Sequence, residues 1–325
     1  MGPTVKDDRP SARGFCLVGP TAVGKSAVAQ WIAERHGHAI LSADSMLVYD
    51  GMDIGTAKPS RAARARVRYH GVDLTTPDRS FSVGAYLACV KLSLAAPAAA
   101  AGGTERPLLV VGGTGLYVKS LLCGLAELPP ANPSVRAYWS DLLEDLGVEA
   151  LQKALQAKSP GLYEALQDKS NPRRLLRALE LAEAGVARPV RTWPRECDPV
   201  PLPGLRLPPD QLRARIEQRV REMYEQGLLD EVQALRQRYP QLSSTAREAI
   251  GYAEAIELLA GRCSREDAMA RTAARTRQLA KRQRTWFAHQ LNVRWLDIEA
   301  SMTVEAIAQT VLEHWRTHGP VSLAV

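Results

Sequence analysis

The sequence predicts an α/β fold: a parallel sheet flanked by helices and interrupted by an inserted all-helical domain. Three observations carry that expectation. Short apolar runs alternate with segments of helical periodicity through the first third of the chain. A glycine-rich phosphate-loop pattern stands between one such run and one such helix. From about residue 127 the strand signal stops, and a helical block bounded by prolines begins.

"GFCLVG" (14–19) reads as the first strand, and "KSAVAQWIAERHG" as a helix stopped by Gly37. "HAILSADS" is a second strand candidate. An Ala-rich helical segment follows over about 82–101, then "RPLLVVGGTG" (106–115), a continuous apolar strand ending in a glycine turn. Strands alternating with helices give a parallel sheet covered on both faces. Ligands of such sheets bind at the carboxyl ends of the strands. Stretches 19–26, 44–58 and 112–117 each follow a strand candidate, so they are expected to converge on one edge.

"ELPPANPSV" opens the helical block and "RPVRTWPRECDPVPLPGLRLPP" (188–209) closes it. The expected division is a flexible tail over 1–13, the first part of the core over 14–126, a helical insertion over 127–200, and a mainly helical remainder over 201–325. "VRWLDIEA" is the one late strand candidate in that remainder. With 325 residues, 46% of them hydrophobic and 24% charged, the chain can bury a sizeable core and is not disordered overall. A net charge of +7 suits a polyanionic partner without requiring one.

The five cysteines (Cys16, Cys89, Cys123, Cys197, Cys263) show no CxxC pair and no histidine at metal spacing. That argues for a reducing compartment, against a disulfide scaffold and against structural zinc. The opening residues lack the apolar run of a signal peptide, and Lys6 departs from the myristoylation pattern. The small-apolar stretch at 92–103 is broken by Pro97 and too short to span a bilayer. The expectation is a cytoplasmic protein with no membrane association.

"GPTAVGKS" (Gly19, Pro20, Thr21, Ala22, Val23, Gly24, Lys25, Ser26) fits G-x-x-x-x-G-K-[ST] in a strand–helix context, so the core is expected to be P-loop NTPase-like. Its glycines let backbone N–H groups turn toward phosphate oxygens; Lys25 neutralises charge and Ser26 can coordinate Mg2+. Hydrolytic enzymes with this loop place an Asp at the end of a neighbouring strand to hold the metal. Here "PLLVV" ends in Gly112-Gly113-Thr114-Gly115 without a carboxylate, a turn suited to close approach of a ligand or of another backbone. The nearest carboxylate at that edge is Asp44. It can serve as a general base or as the cap of the following segment, and spacing alone favours the cap.

Taken together, "GPTAVGKS", "SADSMLVYDGMDIGTAKP", "PLLVVGGTGLYVKSLL", "NPRRLLRALE", "LRARIEQRVREMYEQGLLDEV", "AIGYAEA" and "RTRQLAKRQRTWF" resemble the tRNA dimethylallyltransferases (isopentenyltransferases, the IPP transferase family). The resemblance covers about residues 14–297, in the family's order. It implies Mg-dependent transfer of a dimethylallyl group from dimethylallyl diphosphate to N6 of the adenosine 3′ of the anticodon, in tRNAs reading codons that begin with U. The loop then holds a leaving diphosphate. The resemblance assigns catalysis to Asp44 as base, Lys25 and Arg219, with Ser26 on the metal. Without it, a solvated helix face is the favoured reading of Arg219.

The same resemblance maps tRNA contacts onto Asp44, Ser45, Met46, Leu47, Thr114, Arg136, Arg173, Arg174, Leu175, Leu176 and Arg177. Arg173 stands where the family often has glutamine. The basic run Arg271, Arg275, Arg277, Lys281, Arg282 and Arg284 reads either as a helix along the tRNA backbone or as a solvated face ending in buried Trp286 and Phe287. Expected partners are the tRNA anticodon stem-loop and the diphosphate donor, with the protein a monomer. A small-molecule or nucleotide kinase is the alternative enzyme, and a non-catalytic tRNA-binding module a third reading.

Overall fold

The structure, a computed structural model, describes residues 12–95, 106–190, 192–197 and 199–325. Residues 1–11 of the expected tail and the end of the Ala-rich segment lie outside the described residues. Two compact units emerge. One runs to Gly124 and resumes over Arg195–Val325; the other is Leu125–Pro194.

Among the described residues, the first unit is built on seven strands: β1 (Arg13–Val18), β2 (Ile40–Ser42), β3 (Tyr69–His70), β4 (Leu108–Gly112), β5 (Leu202–Arg206), β6 (Val293–Asp297) and β7 (Val321–Ser322). Their order is β3-β2-β4-β1-β5-β6, all parallel, with β7 antiparallel to the start of β1. β1 therefore begins at Arg13, inside the expected tail. Its helices are α1 (Lys25–His36), α2 (Arg61–Arg66), α3 (Val83–Ala95) and α4 (Gly115–Cys123). The second unit holds α5 (Pro133–Lys158), α6 (Pro160–Ala165) and α7 (Pro172–Glu183). The first unit resumes with α8 (Pro209–Glu225), α9 (Leu228–Arg238), α10 (Ser244–Arg247), α11 (Tyr252–Leu259), α12 (Arg265–Gln290) and α13 (Val304–His318).

Apolar side chains from one sheet face (Leu17, Ile40, Leu109, Leu205) pack with Val28 and Ile32 of α1 and with Val311 and Trp315 of α13. Each such fully buried side chain contributes about 1.5–3 kcal/mol. Trp315 also donates its indole N–H to the Cys16 carbonyl at 3.2 Å, so the helix is fixed in register as well as buried. On the opposite face Tyr86 stacks on Tyr117, and its hydroxyl donates to the Ser42 carbonyl at 2.8 Å.

β5 and the two-residue strands β3 and β7 are absent from the sequence reading, and β5 is the longest of them. "LPGLR" carries Pro203 and Gly204, which break the apolar alternation and read as a linker. Packing overrides that signal: a Cβ on Gly204 would crowd Val293 and Trp295, so glycine lets β6 lie close against β5.

The second unit encloses its own core of Trp139, Leu151, Leu155, Leu162, Leu175 and Leu179. Asn132 and Asn171 cap α5 and α7 through their side chains, each followed by a proline in the first turn. Gly147, at φ 76°, breaks α5 into two helical pieces. The unit's boundaries fall at 124/125 and 194/195 rather than at 127 and 200, because residues after 194 return to the first unit. There the Arg195 N–H donates to the Cys123 carbonyl at 3.1 Å.

Cys123 and Cys197 form a disulfide, with Cα atoms 4.8 Å apart, while Cys16, Cys89 and Cys263 are free thiols. This corrects the reading of dispersed, unpaired cysteines: a separation of 74 residues in sequence says nothing about neighbours in space. Protein denatured without reductant is expected to take up three iodoacetamide groups, and five after reduction. Mass spectrometry counts them; five adducts before reduction would remove the pair. Among the described residues, no helix is long and apolar enough to cross a membrane.

Candidate active site

The turn joining β1 to α1 contains Gly19–Ser26. Ala22 is left-handed at φ 63°, a conformation costing a non-glycine residue about 1–2 kcal/mol, and Gly24 lies at φ 106°. Gly24 caps α1 without any side-chain bond to the first turn, and that turn holds no acidic residue. The positive end of the helix therefore points its N–H groups at the cavity with no side-chain anion supplied, the arrangement that binds phosphate. Lys25 is buried and donates to the Pro20 carbonyl at 2.7 Å. Burial lowers its pKa to about 8, the Asp44 charge pulling it up and Arg219 pushing it further down.

A cavity of about 660 Å³ opens at the carboxyl edge of the sheet. Thr21, Lys25, Ser26, Asp44, Gly112 and Arg219 all line it, so the three stretches expected to converge do so. Its volume suits a small-molecule ligand. Asp44 follows β2, and its Oδ1 accepts the Met46 N–H at 2.9 Å. The capping turn weighed from spacing is thus present, and it engages one oxygen of a carboxylate that also faces the cavity. Arg219, on α8, donates to Thr21 Oγ1 at 3.4 Å and to the Thr56 carbonyl at 3.2 Å, so it is no solvated face. Burial lowers its pKa, opposed by Asp44. One turn earlier Arg215 reaches the Val23 carbonyl at 3.2 Å. The sequence reading missed Arg215; its signal was the four-residue spacing from Arg219 on a helix opening onto the loop.

The glycine turn after β4 is filled by protein. A Cβ on Gly112 would overlap the Ala43 carbonyl, one on Gly113 the Gln283 amide, and one on Gly115 the Trp286 ring. Of the two uses anticipated for this turn, close approach of protein groups is the one found. Gly112 also leaves no room for a strand-end carboxylate of the hydrolytic type. Gln283 itself accepts the Thr21 N–H at 2.8 Å and donates to the Gly113 carbonyl at 2.9 Å, tying the phosphate loop to the turn. It went unrecognised because its two partners lie about 170 and 260 residues away. Thr114 Oγ1 accepts the Ser45 N–H at 2.9 Å, which fixes the segment carrying Asp44.

The comparisons with known proteins agree with this geometry. A family model described as IPP transferase matches residues 47–290. The chain is 39% identical over 294 residues to tRNA dimethylallyltransferase 2 of Geotalea uraniireducens, covering 88% of this chain and 92% of that one. The chain belongs to the IPP transferase family. It is also 39% identical over 277 residues to a Thermus thermophilus tRNA dimethylallyltransferase, covering 84% of this chain and 89% of that one. A solved tRNA isopentenylpyrophosphate transferase of Bacillus halodurans matches with a TM-score of 0.60 at 30% identity, over 94% of this chain and 97% of that one. A eukaryotic dimethylallyltransferase acting on tRNA shares the fold, with a TM-score of 0.66 at 21% identity over 95% of this chain and 77% of that one. The family is one of prenyl-transferring enzymes, and the kinase alternative is not favoured.

The cavity suits a divalent cation carried in with a diphosphate. Ser26 offers a hydroxyl on the same cavity as Asp44, and among the described residues no group of three or more His, Cys, Asp or Glu builds a protein cage. Magnesium is commonly held by few protein oxygens plus substrate phosphates.

Of the expected IPP transferase contacts to tRNA, Ser45 and Met46 are half-buried beside Asp44, whereas Leu47 is buried. Thr114, also half-buried, belongs to the first unit with them, and the others lie in the second unit. Arg173 and Arg174 are exposed on the first turn of α7, and Leu176 is half-buried. Leu175 is fully buried in that unit's core, so its side chain packs rather than presenting itself to RNA. Arg136 and Arg177 both bond the buried Glu180, and Arg177 also reaches the Pro129 carbonyl at 2.7 Å. Glu180 is the acidic partner that the sequence reading left out. On α12, Arg275 pairs with Glu254 and Arg277 with Glu217, while Arg271, Lys281, Arg282 and Arg284 are exposed.

Proposed function

We propose that this chain transfers a dimethylallyl group from dimethylallyl diphosphate to N6 of the adenosine 3′-adjacent to the anticodon, in tRNAs reading codons that begin with U. The observation that carries the reading is that a phosphate loop and a carboxylate, Asp44, line one cavity. The loop N–H groups, Lys25 and Arg219 bind the donor's diphosphate and stabilise the charge that grows on it. A magnesium ion, held by Ser26 when bound, adds Lewis-acid stabilisation of that leaving group.

The adenine amino group is a weak nucleophile, since its lone pair is delocalised into the ring. As the N6–C1 bond forms, the C1–O bond breaks and diphosphate leaves with the electron pair. Asp44 takes the proton that N6 sheds. The target base must leave the anticodon stack to reach the cavity. Ser45, Met46, Leu47 and Thr114 lie at the acceptor side; Arg136, Arg173, Arg174 and Arg177 of the second unit supply salt-sensitive contacts to the stem-loop, and Leu176 an apolar one. Leu175 contributes only by holding α7.

The test is incubation of the protein with Mg2+, dimethylallyl diphosphate and unmodified tRNA, followed by nucleoside mass analysis. One adenosine gaining the prenyl mass is the expected result; ATP-dependent phosphorylation without prenyl transfer would overturn it. Lys25 adds a pH signature. Because it loses its proton near pH 8 in the free protein, diphosphate affinity should fall as pH rises through that value. Binding at about pH 8.5 should take up a proton, read by calorimetry in buffers of different ionisation heat. No uptake would exclude Lys25 as the titrating contact.

A further inference from the structure

We infer that Glu231 is a positioning residue for the diphosphate site, acting through the loop that orients Arg219. Three of the motifs with no assigned role meet at this one carboxylate: "GMDIGTAKP", "GLLDEV" and "AIGYAEA". Glu231 lies in the first turn of α9. Its Oε2 accepts the N–H groups of Asp53 at 3.0 Å and Ile54 at 2.8 Å, and its Oε1 accepts that of Gly55 at 3.4 Å. The Tyr252 hydroxyl donates to the same Oε1 at 2.5 Å. Three successive backbone N–H groups on one anion form a nest, the concavity that proteins otherwise use to hold phosphate.

The consequence concerns which way the loop faces. Asp53, Ile54 and Thr56 line the cavity. With the N–H groups of residues 53–55 committed to Glu231, the next carbonyl, that of Thr56, is the group that receives the Arg219 guanidinium. The Thr56 hydroxyl donates to the Met52 carbonyl at 2.6 Å and closes the loop. Gly55 is required because the Tyr252 ring occupies the place of its Cβ. Glu231 thus fills with an internal anion a nest that would otherwise compete for diphosphate, and it holds Arg219 toward the true phosphate loop. Arg219 reaches that loop through Thr21 Oγ1.

This inference rests on the proposed diphosphate site, and its test separates the two. Binding of inorganic diphosphate to tRNA-free protein is measured by calorimetry for the wild type, Glu231→Gln, Arg219→Ala and the double variant. The glutamine keeps the volume but loses the charge, and its NH2 group must face either the Asp53 and Ile54 N–H groups or that of Gly55, where only the Tyr252 hydroxyl can turn to accept it. Glu231→Gln is expected to weaken diphosphate binding about tenfold. In the Arg219→Ala background the same change should cost less than about twofold, since the effect passes through the guanidinium. A uniform loss in both backgrounds would make Glu231 a structural anchor only and overturn the inference. So would unchanged affinity in Glu231→Gln. Failure of the wild type to bind diphosphate would instead defeat the proposed function, and the inference with it. If Glu231→Gln fails to fold, Tyr252→Phe removes a single bond to the same carboxylate. It should give a smaller loss that also disappears without Arg219; a loss persisting there overturns the inference.

Discussion

Asp44→Asn is expected to reduce prenyl transfer by about 10²–10⁴-fold while tRNA binding stays within about twofold. The substitution separates the two roles of this residue. An asparagine Oδ1 still accepts the Met46 N–H, so the turn that the carboxylate caps survives. What disappears is the capacity to take a proton from N6. Single-turnover transfer with saturating donor, alongside a tRNA binding assay, reads the two effects apart. Near-normal turnover would reduce Asp44 to its capping role. Loss of the anion also removes the pull that raises the Lys25 pKa, so diphosphate binding in this variant should fail at lower pH than in the wild type.

Lys25→Met is expected to abolish useful donor binding, with turnover down by at least about 10²–10³-fold, and yet to make the protein more stable. The ammonium is buried, and its drop from 10.5 to about 8 corresponds to about 3 kcal/mol against the charged form. Below pH 8 the lysine is charged in both the folded and unfolded states, so the folded state carries the whole penalty. Between pH 8 and 10.5 the folded state loses its proton first, and stability rises with pH. Methionine removes both the penalty and that rise. Denaturant melts at about pH 7 and pH 9.5, with and without the substitution, check the sign. A destabilised Lys25→Met protein would show that the bond to Pro20 outweighs the burial.

The core of the site was legible in the sequence because its chemistry is local. Gly19–Ser26 and Asp44 each follow a strand whose apolar run is unambiguous, and parallel strands carry their carboxyl ends to one edge. The supports were not legible, because they are long-range. Gln283 reaches the phosphate loop from a helix near the far end of the chain, and nothing in "KRQRTW" marks one polar side chain for that use. Glu180 looks like any acidic residue on an amphipathic helix until Arg136 and Arg177 close over it. β5 was hidden by Pro203 and Gly204, and at Gly204 close packing against β6 outweighs strand propensity. The burial of the Leu175 side chain was not legible for the opposite reason: matching a stretch residue by residue ignores which face of α7 points inward.

The 4.8 Å between the Cα atoms of Cys123 and Cys197 has an architectural meaning. The chain leaves the sheet-bearing unit and re-enters it through almost the same point, so the path of that unit is nearly continuous without the excursion. A turn of about two or three residues would bridge the gap. The region Leu125–Pro194 is a cassette, spliced into a doorway narrow enough to be resealed. Such a cassette can be lengthened, exchanged or deleted in the laboratory while the phosphate-binding half keeps its own covalent frame.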